Sequence, residues 1–320
     1  MNDMKIKEWF KTLLAGMAIG VGSSIPGVSG GTIAVILKVY EKLLWAISNI
    51  FKEFKKAVIY LIPVLLGVVL AVIPMLYLMD KALNGFLFGI VCLFAGFIIG
   101  SFPSVTDEVK GEKTKKSYII TLIITLLSAI GLGIASVLIK ADVSSELANP
   151  SWWMYIVLIP VGFIASIALA VPGLSGGMIL LLLGFYKPLI ETTVETAKNC
   201  LQGDWSNFGQ QLGILVCFAV GVIIGFYFIS KLMHFLLQKC RTITFYGIIG
   251  FIIGSTLALF FNYEIYSYYL IWASNSYVSM PLYIEIPIGV FLLILGIIAS
   301  YLLVRYQRKQ NNIEAKKNQE

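Results

Sequence analysis

The chain has 320 residues, 58% hydrophobic and 13% charged, with a mean hydropathy of +0.88, a balance that excludes a soluble globular domain and predicts an all-α polytopic membrane protein. The formal net charge of +7 does not indicate nucleic acid, because the basic residues gather in short loops and the C-terminal tail, where they report topology. His234 is the only histidine, which excludes a zinc site built on several imidazoles; neither a metal nor a cofactor is expected.

In chain order, the first apolar region, 9–48, is interrupted at 26–31 by PGVSGG. Pro and Gly should break a helix there, and in hydrocarbon a broken backbone survives only where protein or a water-filled cavity satisfies its N–H and C=O groups. Uninterrupted apolar runs follow at 57–79, 84–101 and 117–139, each near the roughly 20 residues that cross a bilayer. A polar linker, 140–151, leads into a second interrupted region, 152–190, which carries PGLSGG at 172–177. Further runs occupy 209–230, 243–261 and 285–304, and a polar tail, 306–320, closes the chain; from Arg308 onward it lacks the apolar content to order itself. No cleavable signal peptide is expected, since the first apolar stretch runs straight into Pro26 and Gly27 and a second membrane helix follows. Cys92, Cys200, Cys217 and Cys240 have no CxxC spacing and read as free thiols.

The two motifs are related at an offset of 146, whereas the hexapeptide GFIIGS, at 96–101 and again at 250–255, repeats at an offset of 154. The eight-residue difference is expected in the loop around 202–207, which has no counterpart after the first motif. The second offset also pairs Gly67 with Gly221 and Leu78-Met79 with Leu232-Met233. Two diverged copies follow, 1–140 and 150–305. Each holds an interrupted, re-entrant hairpin plus three spans, and an odd number of crossings turns the second copy upside down. Loop charge agrees with this topology. Segments 1–9, 52–56, 106–116, 231–241 and the tail from Arg305 carry the basic residues and are predicted cytoplasmic, with both termini. Segments 80–84, 140–151, 187–207 and 262–285 are mostly neutral or acidic and are predicted outside. Inverted repeats with broken helices are an architecture of secondary transporters.

Within PGVSGG, Pro26 can end one helix, Gly27 can make the turn and Ser29 can cap the next helix, with Gly30, Gly31 and Thr32 in its first turn. Unpaired N–H groups and the partial positive charge of a helix N-terminus suit an anion, and a missing Cβ lets it approach. Candidate anion-binding residues are Ser24, Gly27, Ser29, Gly30, Gly31 and Thr32 from the first copy, with Gly173, Ser175, Gly176 and Gly177 from the second; no catalytic residue is assigned. Met178 stands where the first copy has Thr32, so the half-sites are unequal. Lys38, Glu41, Lys187 and Arg241 are candidates for charge roles. Each also has a plainer reading: Lys38 snorkels to headgroups, Glu41 and Lys187 are solvated near helix ends, and Arg241 obeys the positive-inside rule. The GxxxG pairs Gly96/Gly100 and Gly250/Gly254 read as close helix packing.

The run GVGSSIPGVSGGTIAVIL, its partner AVPGLSGGMILLLLGFY and the repeated GFIIGS resemble the bacterial PopT family over nearly the whole chain. The resemblance implies a polyprenyl-phosphate flippase of the cytoplasmic membrane, returning undecaprenyl phosphate from the outer to the inner leaflet by alternating access. Its implied partners are the polyprenyl-phosphate lipid and the membrane, without nucleic acid; oligomeric state is left open. Lys38 departs from the pattern, standing where Gly is expected and where the second copy keeps Gly184. A transporter of a small soluble anion would use the same helix ends. A polyprenyl-pyrophosphate phosphatase shares a Pro-Gly-x-Ser turn but follows the Ser with Arg and adds carboxylates; here Gly30 and Gly176 stand at that place, so an enzyme is not expected.

Overall fold

A computed structural model describes residues 6–28, 30–37, 39–48, 52–138, 143–167, 176–273 and 281–317, and among these every regular element is helical. The first interrupted region gives α1 (Ile6–Ser23), α2 (Gly30–Ile36) and α3 (Tyr40–Ser48). Next come α4 (Phe54–Gly85), α5 (Leu87–Ser101), α6 (Pro103–Thr106) with a 3-10 turn (Asp107–Val109), and α7 (Lys116–Leu138). A short α8 (Val143–Ala148) precedes α9 (Trp152–Ala165), α10 (Gly176–Leu182) and α11 (Tyr186–Gln202). The chain ends with α12 (Phe208–Lys239), α13 (Arg241–Ala258) with a 3-10 turn (Leu259–Phe261), α14 (Tyr263–Ala273) and α15 (Leu282–Lys317). Among the described residues six helical spans are long and apolar enough to cross a membrane, or seven if the bent pair α10–α11 counts as one. The protein is a multi-pass membrane protein.

Element boundaries follow the two sequence offsets. The starts of α1, α2 and α3 recur 146 residues on as α9, α10 and α11, and α4 and α5 recur 154 residues on as α12 and α13. Packing repeats too. On the α1–α4 face, Gly16 and Gly67 let the backbones meet, Gly16 against Val64 and Gly67 against Leu13; on the α9–α12 face Gly162 meets Phe218 and Gly221 meets Ile159. The spans that begin with α5 and α13 are half buried, against 11–22% for the other four. They form the centre, and their GxxxG faces explain how. Gly96 and Gly100 lie on the Leu293 and Ile297 carbonyls of α15, while Gly250 and Gly254 lie on the Leu122 and Leu126 carbonyls of α7. A methyl group at any of the four would run into backbone, so these glycines set helix approach. Each central helix takes its partner from the other half of the sequence.

Several expected loops are helix. The segments 80–84 and 231–239 are the last turns of α4 and α12, which each run 32 residues, so that only Phe86 and Cys240 separate them from the next helix. The segment 140–151 contains α8, and 262–285 contains α14. The starts of α3 and α4 are 14 residues apart and those of α11 and α12 are 22, so the eight-residue difference falls between 186 and 208, where α11 continues past 190 to Gln202. Polar sequence hid this, because a helix end outside the hydrocarbon needs no apolar residues. The tail is likewise helical through Lys317 as a continuation of α15: once a helix is nucleated, each added residue gains a hydrogen bond.

Candidate functional site

The first motif breaks the backbone between α1 and α2. Ile25 to Val28 forms a turn closed by the Val28 N–H on the Ile25 carbonyl at 3.1 Å, with Pro26 second and Gly27 third at φ +86°, the residue placement of a type II turn. Gly27 is required here twice over. An added Cβ would be strained by the positive φ and would come within 2.9 Å of the Ile98 nitrogen and Phe97 Cβ on α5. The turn is thereby seated on the central helix.

Ser24 is buried, and its hydroxyl donates to the Gly20 carbonyl at 2.9 Å, so its hydrogen is engaged and its oxygen lone pairs remain. Its own carbonyl, released by the helix break, accepts from Tyr186 Oη at 2.8 Å. Tyr186 opens α11 in the second half, is 6% exposed, and sets its ring edge-on to Phe94 at 5.9 Å. Tyr40, its match at the first offset, is 41% exposed. The sequence paired these tyrosines but did not single out Tyr186; its signal was an aromatic hydroxyl next to a break that frees carbonyls.

The two motifs meet. An added Cβ on Gly177 would lie 2.8 Å from Pro26 Cγ and 3.1 Å from Tyr186 Cε2. Gly30 backs onto the Ser23 hydroxyl and Ile19, whereas among the described residues a Cβ on Gly176 would meet the Ala165 carbonyl, at 3.9 Å. Gly31 and Thr32 lie in the first turn of α2. Met178 is 1% exposed and packs against Ser255 of α13, with its sulfur 3.8 Å from the Ser255 hydroxyl; it is a core residue. Ser29, Gly173 and Ser175 lie outside the described residues, as does Lys38.

α10 ends in a Schellman pattern. The Phe185 N–H bonds the Leu180 carbonyl at 2.9 Å and the Gly184 N–H bonds the Leu181 carbonyl at 3.1 Å, around Gly184 at φ +77°. This stop turns the chain through 112° into α11. The Val39 N–H to Ala34 carbonyl bond at 3.0 Å closes α2 in the same way. Of the charge candidates, Glu41 lies in α3, and Lys187 in the first turn of α11 pairs with Glu191 at 3.7 Å. Buried Asp80 accepts from Asn84 at 3.0 Å and adds its charge to the field around Glu191. Arg241 pairs with Glu108 across the 3-10 turn, away from the motifs. The structure brings together Ser24, Gly27, Gly30, Gly176 and Gly177, and leaves Arg241 outside that group.

Comparison with known proteins follows the same residues. The model of a family described as VCA0040-like, undecaprenyl phosphate translocase-like, matches residues 19–276. A protein of Staphylococcus aureus (strain NCTC 8325 / PS 47) named polyprenyl-phosphate transporter is 31% identical over 264 residues, covering 79% of this chain and 86% of its own length. A protein of Vibrio cholerae serotype O1 (strain ATCC 39315 / El Tor Inaba N16961) with the same name is 28% identical over 265 residues, covering 78% and 77%. No solved structure matches.

Proposed function

The chain belongs to the undecaprenyl phosphate translocase-like family, and from that premise we propose how it works as a polyprenyl-phosphate transporter. Its substrate is an anionic headgroup on a long apolar tail. The tail can stay in lipid, so only the phosphate must pass through protein. The two hairpins form one phosphate site, with Gly27, Ser29, Gly30, Gly31 and Thr32 on one side and Gly173, Ser175, Gly176 and Gly177 on the other. Ser24 lends a hydroxyl oxygen that can accept from a protonated phosphate. α2 and α10 have seven residues each, so the first unpaired backbone N–H groups, not a long helix dipole, carry the anion binding. The observation that carries this reading is the contact of Gly177 with Pro26, which joins two motifs separated by 146 residues at one break in the helices.

In this reading the halves, 1–140 and 150–305, are inverted repeats. Exchange of conformation between the hairpins exposes the site to each leaflet in turn, returning the carrier from the outer to the inner leaflet of the bacterial cytoplasmic membrane with both termini inside. The constant offsets of element starts and of glycine contacts support the repeat; the basic loops support the orientation. The protein acts without chemical conversion of the lipid, in keeping with its family of transporters. The test is leaflet exchange of a short-chain polyprenyl phosphate in liposomes holding the full-length protein. Wild type accelerates exchange, and Ser29→Leu or Ser175→Leu abolishes it. Unchanged exchange in both variants would overturn the site, and no exchange by folded wild type would overturn the function.

A further inference from the structure

The connections that follow α5 and α13 occupy matching places in the chain, yet they are fastened by different chemistry. After α5, Asp107 pairs with Arg308 at 2.5 Å and Glu108 pairs with Arg241, all four side chains at least 37% exposed. After α13 the chain instead forms α14, which returns over α5 and α7. Its fastening point is Glu285, the fourth residue of α15 and 0% exposed.

Tyr268 Oη lies 3.0 and 2.9 Å from the two Glu285 oxygens. The Phe88 backbone N–H, in the first turn of α5, and the buried Trp272 indole N–H also face the carboxylate, neither closing a well-formed bond. Around these groups Phe88, Tyr268, Tyr269 and Trp272 pack ring against ring, with centroids 5.1 to 6.4 Å apart. Burying a carboxylate is costly unless a cation pairs with it. No Lys, Arg or His among the described residues forms an ion pair with Glu285. Among the described residues the titratable side chains near it are Tyr268 and Tyr269 from α14 and Cys92 from α5, none of them a cation in any protonation state.

The hydroxyl of Tyr268 carries one hydrogen and sits almost equally far from both carboxylate oxygens. With Glu285 ionised, Tyr268 donates to it. With Glu285 protonated, the carboxyl O–H can donate to the Tyr268 oxygen. One heavy-atom arrangement therefore serves both charge states, and Trp272 holds a spare donor for the ionised one. A carboxylate at the end of a membrane-spanning helix with donors and, among the described residues, no paired cation is placed as proton-carrying groups in transporters are.

We propose that Glu285 is a proton-binding group of the transport cycle, exchanging one proton with the aqueous face at which α5 and α15 begin, and that its charge state fastens or releases α14 over that face. The proposal rests on the transporter reading above. Ionised, Glu285 draws the Tyr268, Phe88 and Trp272 donors together through charge-assisted bonds. Protonated, it loses that assistance, which roughly halves the strength of such bonds, and α14 loosens. A purely structural role, capping the N-terminus of α5, would need an acceptor oxygen but no titration.

Glu285→Gln separates the two, because glutamine keeps an acceptor for Phe88 and Tyr268 and cannot take up the proton. The full-length protein is reconstituted in vesicles, exchange of a short-chain polyprenyl phosphate is followed with and without an imposed pH gradient, and the carboxyl infrared band is titrated. Wild type should exchange several-fold faster with the gradient in one direction and show a titrating buried-carboxyl band. Glu285→Gln should remain folded, lose that band and exchange at one rate whatever the gradient. A Glu285→Gln protein that keeps the gradient response, or a spectrum unchanged by the substitution, overturns the proposal. If wild type exchanges no lipid, the transporter reading and the coupling role fall together, while the band still decides whether Glu285 binds a proton. Tyr268→Phe removes the fastening hydroxyl and leaves the carboxyl; it should keep the titration and raise protease access to α14, and unchanged protection would remove α14 from the proposal.

Discussion

Replacing Tyr186 with Phe removes one hydroxyl and keeps the ring that packs edge-on to Phe94 at 5.9 Å. The loss falls on the Ser24 carbonyl, which accepts from that hydroxyl at 2.8 Å in a buried place. An acceptor left unsatisfied in a protein interior costs about 1–3 kcal/mol, whereas interhelical hydrogen bonds in membrane proteins average about 0.6 and reach about 1.7 kcal/mol. A cost near 1 kcal/mol is therefore expected, roughly a fivefold shift away from the joined motifs. If joined motifs are the transport-competent form, exchange slows by about that factor. Thermal unfolding of the purified protein reads the stability loss, and polyprenyl-phosphate exchange in liposomes reads the transport loss. Tyr40→Phe is the control, since Tyr40 matches Tyr186 at the first offset but is 41% exposed; it should behave as wild type. Wild-type stability and exchange for Tyr186→Phe, or equal losses for both variants, would refute a special role for the bond that crosses between halves.

Single-cysteine variants retaining Cys200 or Cys240, both exposed, should react with a membrane-impermeant maleimide from opposite sides, Cys200 from outside and Cys240 from inside. The 32 residues of α12 between them span about 48 Å at about 1.5 Å per residue; labelling from one side only would sink the proposed topology. Gly250→Val drives side-chain atoms into the Leu122 carbonyl and should cost at least about 1–3 kcal/mol by overpacking, whereas Gly131→Ala, with nothing within 4 Å, should be neutral or slightly stabilising; a thermal scan of both checks the assignment. Arg308→Ala should destabilise more than Arg241→Ala, because Arg308 also donates to the Pro103 carbonyl at 2.9 Å, while an exposed pair such as Arg241 with Glu108 contributes about 0–1 kcal/mol. Equal unfolding temperatures for the two would contradict this ranking.

The legible part of the fold was local. Pro26 and Gly27 announced the break in the first hairpin, and the seated turn follows from Pro fixing φ and Gly accepting a positive one. The GxxxG pairs announced close packing without naming partners, because in lipid every helix face is apolar and no polar face marks which side meets which helix. Hence nothing in the sequence pointed Gly96 to α15 or Gly250 to α7. Length within α11 was misread for a related reason: Glu191, Glu195 and Lys198 are polar, and polarity was equated with loop.

By itself the amino-acid sequence determined the all-helical membrane class, the uninterrupted apolar spans and the break at Pro26 and Gly27, since chain breaks and apolar run lengths are properties of consecutive residues. Only the tertiary structure decided that Gly177 rests on Pro26, that Tyr186 supplies the hydrogen bond Ser24 lost, and that Glu285 is buried against Tyr268. Those contacts join residues far apart in the chain. They exist because a freed carbonyl or a buried carboxylate must find its donor, and which donor lies within reach is set by how the helices pack.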